Sequence, residues 1–114
     1  SGTSNLQYVI PANATIVSAK LYVDVAFTST STTTDLVVGL YNSAGVAIDA
    51  DGLVEADEAT QTAIGTAGNV VTGAGALVGK TIGATAGEVV VAPNVDDLLT
   101  GKARLVVEYV YDKN

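Results

Sequence analysis

The sequence predicts an all-β fold: one domain over residues 1–114, built as an antiparallel β-sandwich, jelly-roll-like, with one or two short connector helices. Three observations lead there. Apolar residues alternate with polar ones over long stretches, the period of a strand whose two faces differ. Turn-forming residues separate those stretches at short intervals, as in sandwiches and barrels. Hydrophobic residues make up 48% of the 114 positions and charged residues 15%, so the chain carries enough apolar material for a core and too much for disorder.

The first strand is short, with Leu6, Tyr8 and Ile10 alternating with Asn5, Gln7 and Val9. Pro11-Ala12-Asn13-Ala14 stops it, because proline fixes φ and has no N–H to give a ladder. From residue 17 to 27 every odd position is apolar: Val17, Ala19, Leu21, Val23, Val25 and Phe27. Ser18, Lys20, Tyr22, Asp24 and Ala26 lie between them, so one face should be buried. This run is long enough to bend or to cross between two sheets. Residues 28–34 are an unbroken Ser/Thr tract, expected as an exposed loop or a pair of frayed strand ends. Asn42-Ser43-Ala44-Gly45 separates the apolar runs 35–41 and 46–48 and reads as a hairpin turn. The short runs 70–72, 76–78 and 89–92 are read as strands from their valines and nearby glycines. A last strand sets Ala103, Leu105, Val107, Tyr109 and Tyr111 on one face, with Arg104, Val106, Glu108 and Val110 on the other.

Two segments admit a helical reading. Residues 53–64 place Ala56, Ala59, Ala63 and Ile64 near helical spacing, with Gly65 as a stop. Residues 94–100 could form one turn, with Asp96 and Asp97 near its start and Gly101 after it. Gly73, Gly75, Gly79, Gly83 and Gly87 crowd one stretch, where they signal turns, bulges or close backbone approach. That stretch should be flexible unless another surface covers it. No fixed-period repeat is visible, which argues against a solenoid or propeller.

Charge and composition narrow the chemistry. Twelve acids and five bases give a net charge of −7, which opposes non-specific contact with phosphate backbones. The chain has no Cys, His, Met or Trp, so disulfides, thiol nucleophiles, imidazole bases and the usual zinc sites are excluded. Seryl and threonyl hydroxyls have no histidine base to activate them. No apolar run reaches the roughly 20 residues of a membrane helix, and no signal peptide opens the chain. The chain opens at Ser1 without methionine, as a processed product or an excised domain would.

Four constellations are candidates for sites. Residues 73–81 end in Gly79-Lys80-Thr81 as a P-loop does, but Ala74 stands where the motif needs glycine, and the residues that follow do not favour a helix. A glycine-rich turn with an exposed lysine is the better reading. Asp49, Asp51, Gly52 and Glu58 match four places of an EF-hand loop, yet Ala47 falls at the first ligand and a strand precedes it. A looser calcium site at Asp49, Asp51 and Glu58 is the alternative to a solvated acidic loop, which is favoured. Paired carboxylates for glycoside chemistry would need aromatic platforms, and the chain has five tyrosines, one phenylalanine and no tryptophan. Asn13-Ala14-Thr15 matches a glycosylation sequon by its three residues alone. The expectation is therefore no enzyme, no cofactor and no resident metal. A core of small side chains gives modest stability, and oligomerisation would add buried area.

The run from Ile10 to Ala19, a proline-bearing turn feeding a long alternating strand, resembles small virion proteins of tailed bacteriophages. The Ala/Gly/Val-rich stretches 46–52 and 75–79 and the strand 101–109 are similar in texture, and the resemblance extends over most of residues 6–111. It implies a head decoration (cement) protein, on the outer capsid surface of a virion, often trimeric, with the major capsid protein as partner. It implies no catalytic residues, no nucleic-acid contact and no membrane. Exposed loops commonly carry binding, so the capsid contacts are expected at Thr28, Thr30, Thr32 and Thr34 and in the glycine-rich stretch at Gly75 and Lys80. A module of a bacterial surface adhesin or appendage, with calcium near Asp49, is the second reading. A carbohydrate-binding module, the third, would show more exposed aromatics.

Overall fold

The computed structural model describes residues 4–31 and 33–111 as seven strands and one turn of helix. The strands are β1 (Ser4–Ile10), β2 (Thr15–Ser29), β3 (Leu36–Tyr41), β4 (Ala47–Val54), β5 (Val70–Thr72), β6 (Gly87–Pro93) and β7 (Leu98–Val110); the helix α1 is Gln61–Ile64. They form two antiparallel sheets packed as a sandwich, one in the order β1-β6-β3-β4 and the other β5-β2-β7. Every connection except the β3–β4 hairpin passes from one sheet to the other. Such crossing brings the inner faces of β2, β3, β4 and β6 together over one core.

That core is aliphatic. Ile16, Leu36, Leu40, Leu53 and Ile64 are its largest fully buried side chains, with Val23, Val38, Val54 and Val89 between them. Phe27, the single phenylalanine, packs against its margin half-buried. The hairpin forms as its sequence predicts. Asn42 accepts at Oδ1 from the N–H groups of Ala44 and Val46, and Gly45 takes φ +81°, the left-handed position such a loop needs.

Strict alternation in β2 does not hold over its whole length. Against β7, β2 carries an extra residue between Ile16 and Ser18, another between Val23 and Val25, and a third before Thr28. Each bulge shifts the side-chain phase by one. Ile16, Ala19, Leu21 and Val23 therefore face the core, while Val17 and Val25 face solvent, about half exposed. The bulges bend the strand, and it stays in one sheet throughout. In β1 a register break between Asn5 and Val9 adds two residues against β6, and Tyr8 is exposed while Ile10 is buried. The side chain of Leu6 lies outside the described residues.

The helical expectations contract. In residues 53–64 only Gln61–Ile64 is helical, capped by Thr60, because Leu53 and Val54 are wholly buried as the end of β4. Residues 94–100 contain no helix; Leu98 already begins β7. Residues 76–79 are a turn rather than a strand.

The glycine-rich stretch is firmly held. Gly73 and Gly79 donate their N–H groups to Ala19 and Ile16 of β2, whereas Gly75 and Leu77 donate to Leu53 and Gly52 of β4. Ile82 and Asn13 close the lacing, Ile82 donating to Ala14 and Asn13 to the carbonyl of Gly83. The segment thus joins the two sheets along the β4/β5 side. Glycine is required where the backbones meet: a Cβ on Gly75 would overlap the backbone of Asp51 and Gly52.

The Ser/Thr tract is knotted rather than frayed. Gln61 Oε1 accepts from the Thr34 N–H at 2.7 Å, and its Nε2 donates to the Ser31 carbonyl at 2.9 Å. Ser29 Oγ lies 2.9 Å from the Thr34 hydroxyl, and Thr30 donates to Asp96. Gln61→Ala leaves the Thr34 N–H and the Ser31 carbonyl without their partner, so it is expected to cost about 1–3 kcal/mol. Gln61→Glu keeps the acceptor but turns a carboxylate oxygen onto the Ser31 carbonyl, and should be destabilised as well. Urea denaturation midpoints of the three proteins test this.

Candidate functional site

The side opposite the glycine lacing is open. There β7, the edge of one sheet, faces β1 and β6 at the edge of the other, and a groove of about 550 Å³ runs between them. Tyr8, Ile10, Val89, Leu105, Val107 and Tyr109 line it. A second hollow of about 310 Å³ continues along β7 past Leu21, Phe27, Leu36, Val91 and Leu98, and the two share Ala103 and Leu105. The inner face of β7 is only half-buried as a result. Around the groove mouth Tyr8 (71% exposed), Val9, Val106, Val110 (58%) and Tyr111 all meet solvent.

The outer face of β2 and β7 mixes paired polar groups with the exposed valines Val17, Val25, Val106 and Val110. Arg104 grips Asp24 with a fork, Nε to Oδ2 at 2.9 Å and Nη2 to Oδ1 at 3.0 Å, and its guanidinium lies 5.4 Å from the centre of the Tyr22 ring. The hydrogen bond from Arg104 holds the Asp24 carboxyl below the usual carboxylate range. Ser18 donates to Glu108 at 2.6 Å. This face can recognise charge, but its groups are exposed and poised for no proton transfer.

No protein-family model, curated protein or solved structure matches this chain.

Of the residues singled out from sequence, Thr28, Thr30 and Lys80 are exposed. Thr34 and Gly75 correct the expectation, because both are buried: Thr34 has 0% exposure and a bonded hydroxyl, and Gly75 sits under β4. Neither can offer surface to a capsid. Thr32 lies outside the described residues. After Lys80 the chain bridges to Thr15 at Thr81 and residues 82–86 are irregular, so no helix end faces a phosphate there.

The acidic residues divide. Asp49 and Asp51 lie on β4, whereas Glu58 joins Glu55 and Asp57 at the following turn, with carboxylate oxygens within 4.8 Å of one another. Glu58 Oε1 already accepts from the backbone N–H groups of Glu55 and Ala74, which makes it a turn cap. Burial first, then a hydrogen bond with Asp51, raises the Asp49 pKa. Partial burial, then the charges of Glu58, Asp57 and Asp51, raises that of Glu55. Folding thus makes these two acids bind protons more readily, so their contribution to stability is expected to rise as pH falls from neutrality through their raised folded pKa values. Asp24 has the opposite sign: its contribution is lost at lower pH, as the carboxyl protonates through its depressed folded pKa. Thermal melts across this range should show the rise, and Asp49→Asn with Glu55→Gln should flatten it.

The exposed apolar residues of the β1–β7 edge are not among those the sequence singles out as contacts. A signal was present in the last strand, where Val106 and Val110 interrupt the face assigned to polar residues.

Proposed function

We propose that the chain is a non-enzymatic structural protein of a phage virion, decorating and stabilising the outer capsid surface, and that it joins its partners through the β1–β7 edge. One observation carries the contact: exposed apolar residues gather on the two strands that flank the open groove, Tyr8 and Val9 on β1 and Val106, Tyr109 and Val110 on β7, on a chain otherwise rich in acidic surface. Apolar patches of this kind mark association surfaces. The virion assignment rests on the resemblance of residues 6–111 to small phage head proteins. Avidity over many equivalent shallow sites suits a partner without a deep pocket.

The test is co-sedimentation with empty head shells assembled from a major capsid protein of a tailed phage. Binding with raised shell melting temperature is expected, and Tyr8→Asp or Val110→Glu should lower occupancy about tenfold or more while the monomer fold, followed by circular dichroism, is retained. Absence of binding to such shells would return the chain to the surface-adhesin reading.

A further inference from the structure

We infer that the first partner of the open edge is a second copy of this chain, paired strand to strand through β7 about a twofold axis at Val106. The inference rests on the edge being the contact surface proposed above. Three of the four sheet edges are blunted: β1 is broken by its register shift, β5 is three residues long, and β4 receives the hydrogen bonds of Gly75 and Leu77. The fourth is not. From Lys102 to Val110 every extra residue in the β2–β7 ladder lies on β2, so β7 itself is an uninterrupted edge about 30 Å long. An edge of that length with apolar side chains is a template for another strand.

The charges select a register. A twofold axis that keeps both inner faces on the same side allows only registers in which like faces meet. Centred on Val106, an antiparallel pair sets Arg104 opposite Glu108 of the second copy, twice per dimer, with Val106 facing its own counterpart. Leu105 then opposes Val107 on the groove side. Centring on Leu105 sets Glu108 against Lys102 but leaves Arg104 against Val106, outside the row of paired groups that Asp24 and Ser18 begin, and centring on Val107 leaves both Arg104 and Glu108 against valines. The chosen register also extends an existing row, since Asp24 already holds Arg104 and Ser18 already holds Glu108. It joins the two three-stranded sheets into one of six strands and is isologous, in contrast to the trimer that the phage resemblance implies.

The chain has no cysteine, so one introduced thiol reports the register. Val106→Cys is expected to form a disulfide-linked dimer under mild oxidation, while Val110→Cys is not, because directly opposed Cβ atoms are the close ones. Light scattering after size exclusion should give a dimer for the wild type. Arg104→Glu or Glu108→Arg alone should raise the dimer dissociation constant about tenfold, and the double exchange should recover a large part of that loss, since it rebuilds both cross-strand pairs although Asp24 loses its arginine. A monomer or trimer, no cross-link at position 106, or a double exchange no tighter than the single variants would overturn the inference. Shell binding by a wild-type monomer would overturn the twofold pairing and leave the virion reading standing; a dimer that ignores shells would do the reverse.

Discussion

Gly39→Ala is expected to destabilise the fold by about 3 kcal/mol or more, a large share of the 5–15 kcal/mol that holds a domain of this size. Gly39 lies in β3, whose register against β4 jumps: Val38 pairs with Val54, yet Leu40 pairs with Asp49. The surplus residues of β4 arch over Gly39, and a Cβ there would overlap the Asp49 carbonyl and the backbone of Ala50. No flexible side chain can yield, so the hairpin itself must shift. Gly83→Ala is the matched control, because nothing lies within 4 Å of its Cβ position, and a change within about 0.5 kcal/mol is expected. Urea midpoints at constant slope would measure both. A Gly39→Ala protein as stable as wild type would mean that β4 does not arch over β3.

Ile16→Ala should cost about 3–4 kcal/mol, and Val17→Ala less than about 1. Ile16 is wholly buried, so truncation removes core contacts and leaves a cavity, whereas Val17 is 52% exposed. The contrast tests the first bulge of β2. Without it Val17 would share the inward face with Ala19 and Leu21, and the two costs would exchange places. Paired denaturation curves decide between the registers directly.

That bulge also explains what could be read from the chain and what could not. Between Ala19 and Val23 alternation identifies the buried face, because nothing interrupts the ladder there. At the ends of β2 the neighbouring residues Ile16 and Val17 are both apolar, and hydropathy alone cannot say which one turns inward. The Asn42–Gly45 turn was legible because its chemistry is local: one amide side chain and one left-handed glycine suffice. Helix length was overestimated in residues 53–64, since the burial of Leu53 and Val54 depends on sheet partners distant in sequence. The same distance hid the apolar edge. Tyr8 and Tyr109 are about a hundred residues apart, and only the order of strands in the two sheets brings them to one groove.

The lacing of residues 73–83 gives the sandwich a spine and leaves the opposite margin as its fore-edge. Amides beside the spine are tied to both leaves, so their hydrogen exchange requires opening of the whole domain. Those of β1 and β7, each the outermost strand of its own sheet, exchange when the strand frays from β6 or β2, an opening local to the margin. A partner that clasps the fore-edge therefore acts where the free chain opens most readily, and its binding energy appears as protection of exchange along both outer strands. Cement in a wall works in the same way, strengthening most the joint that would otherwise move first.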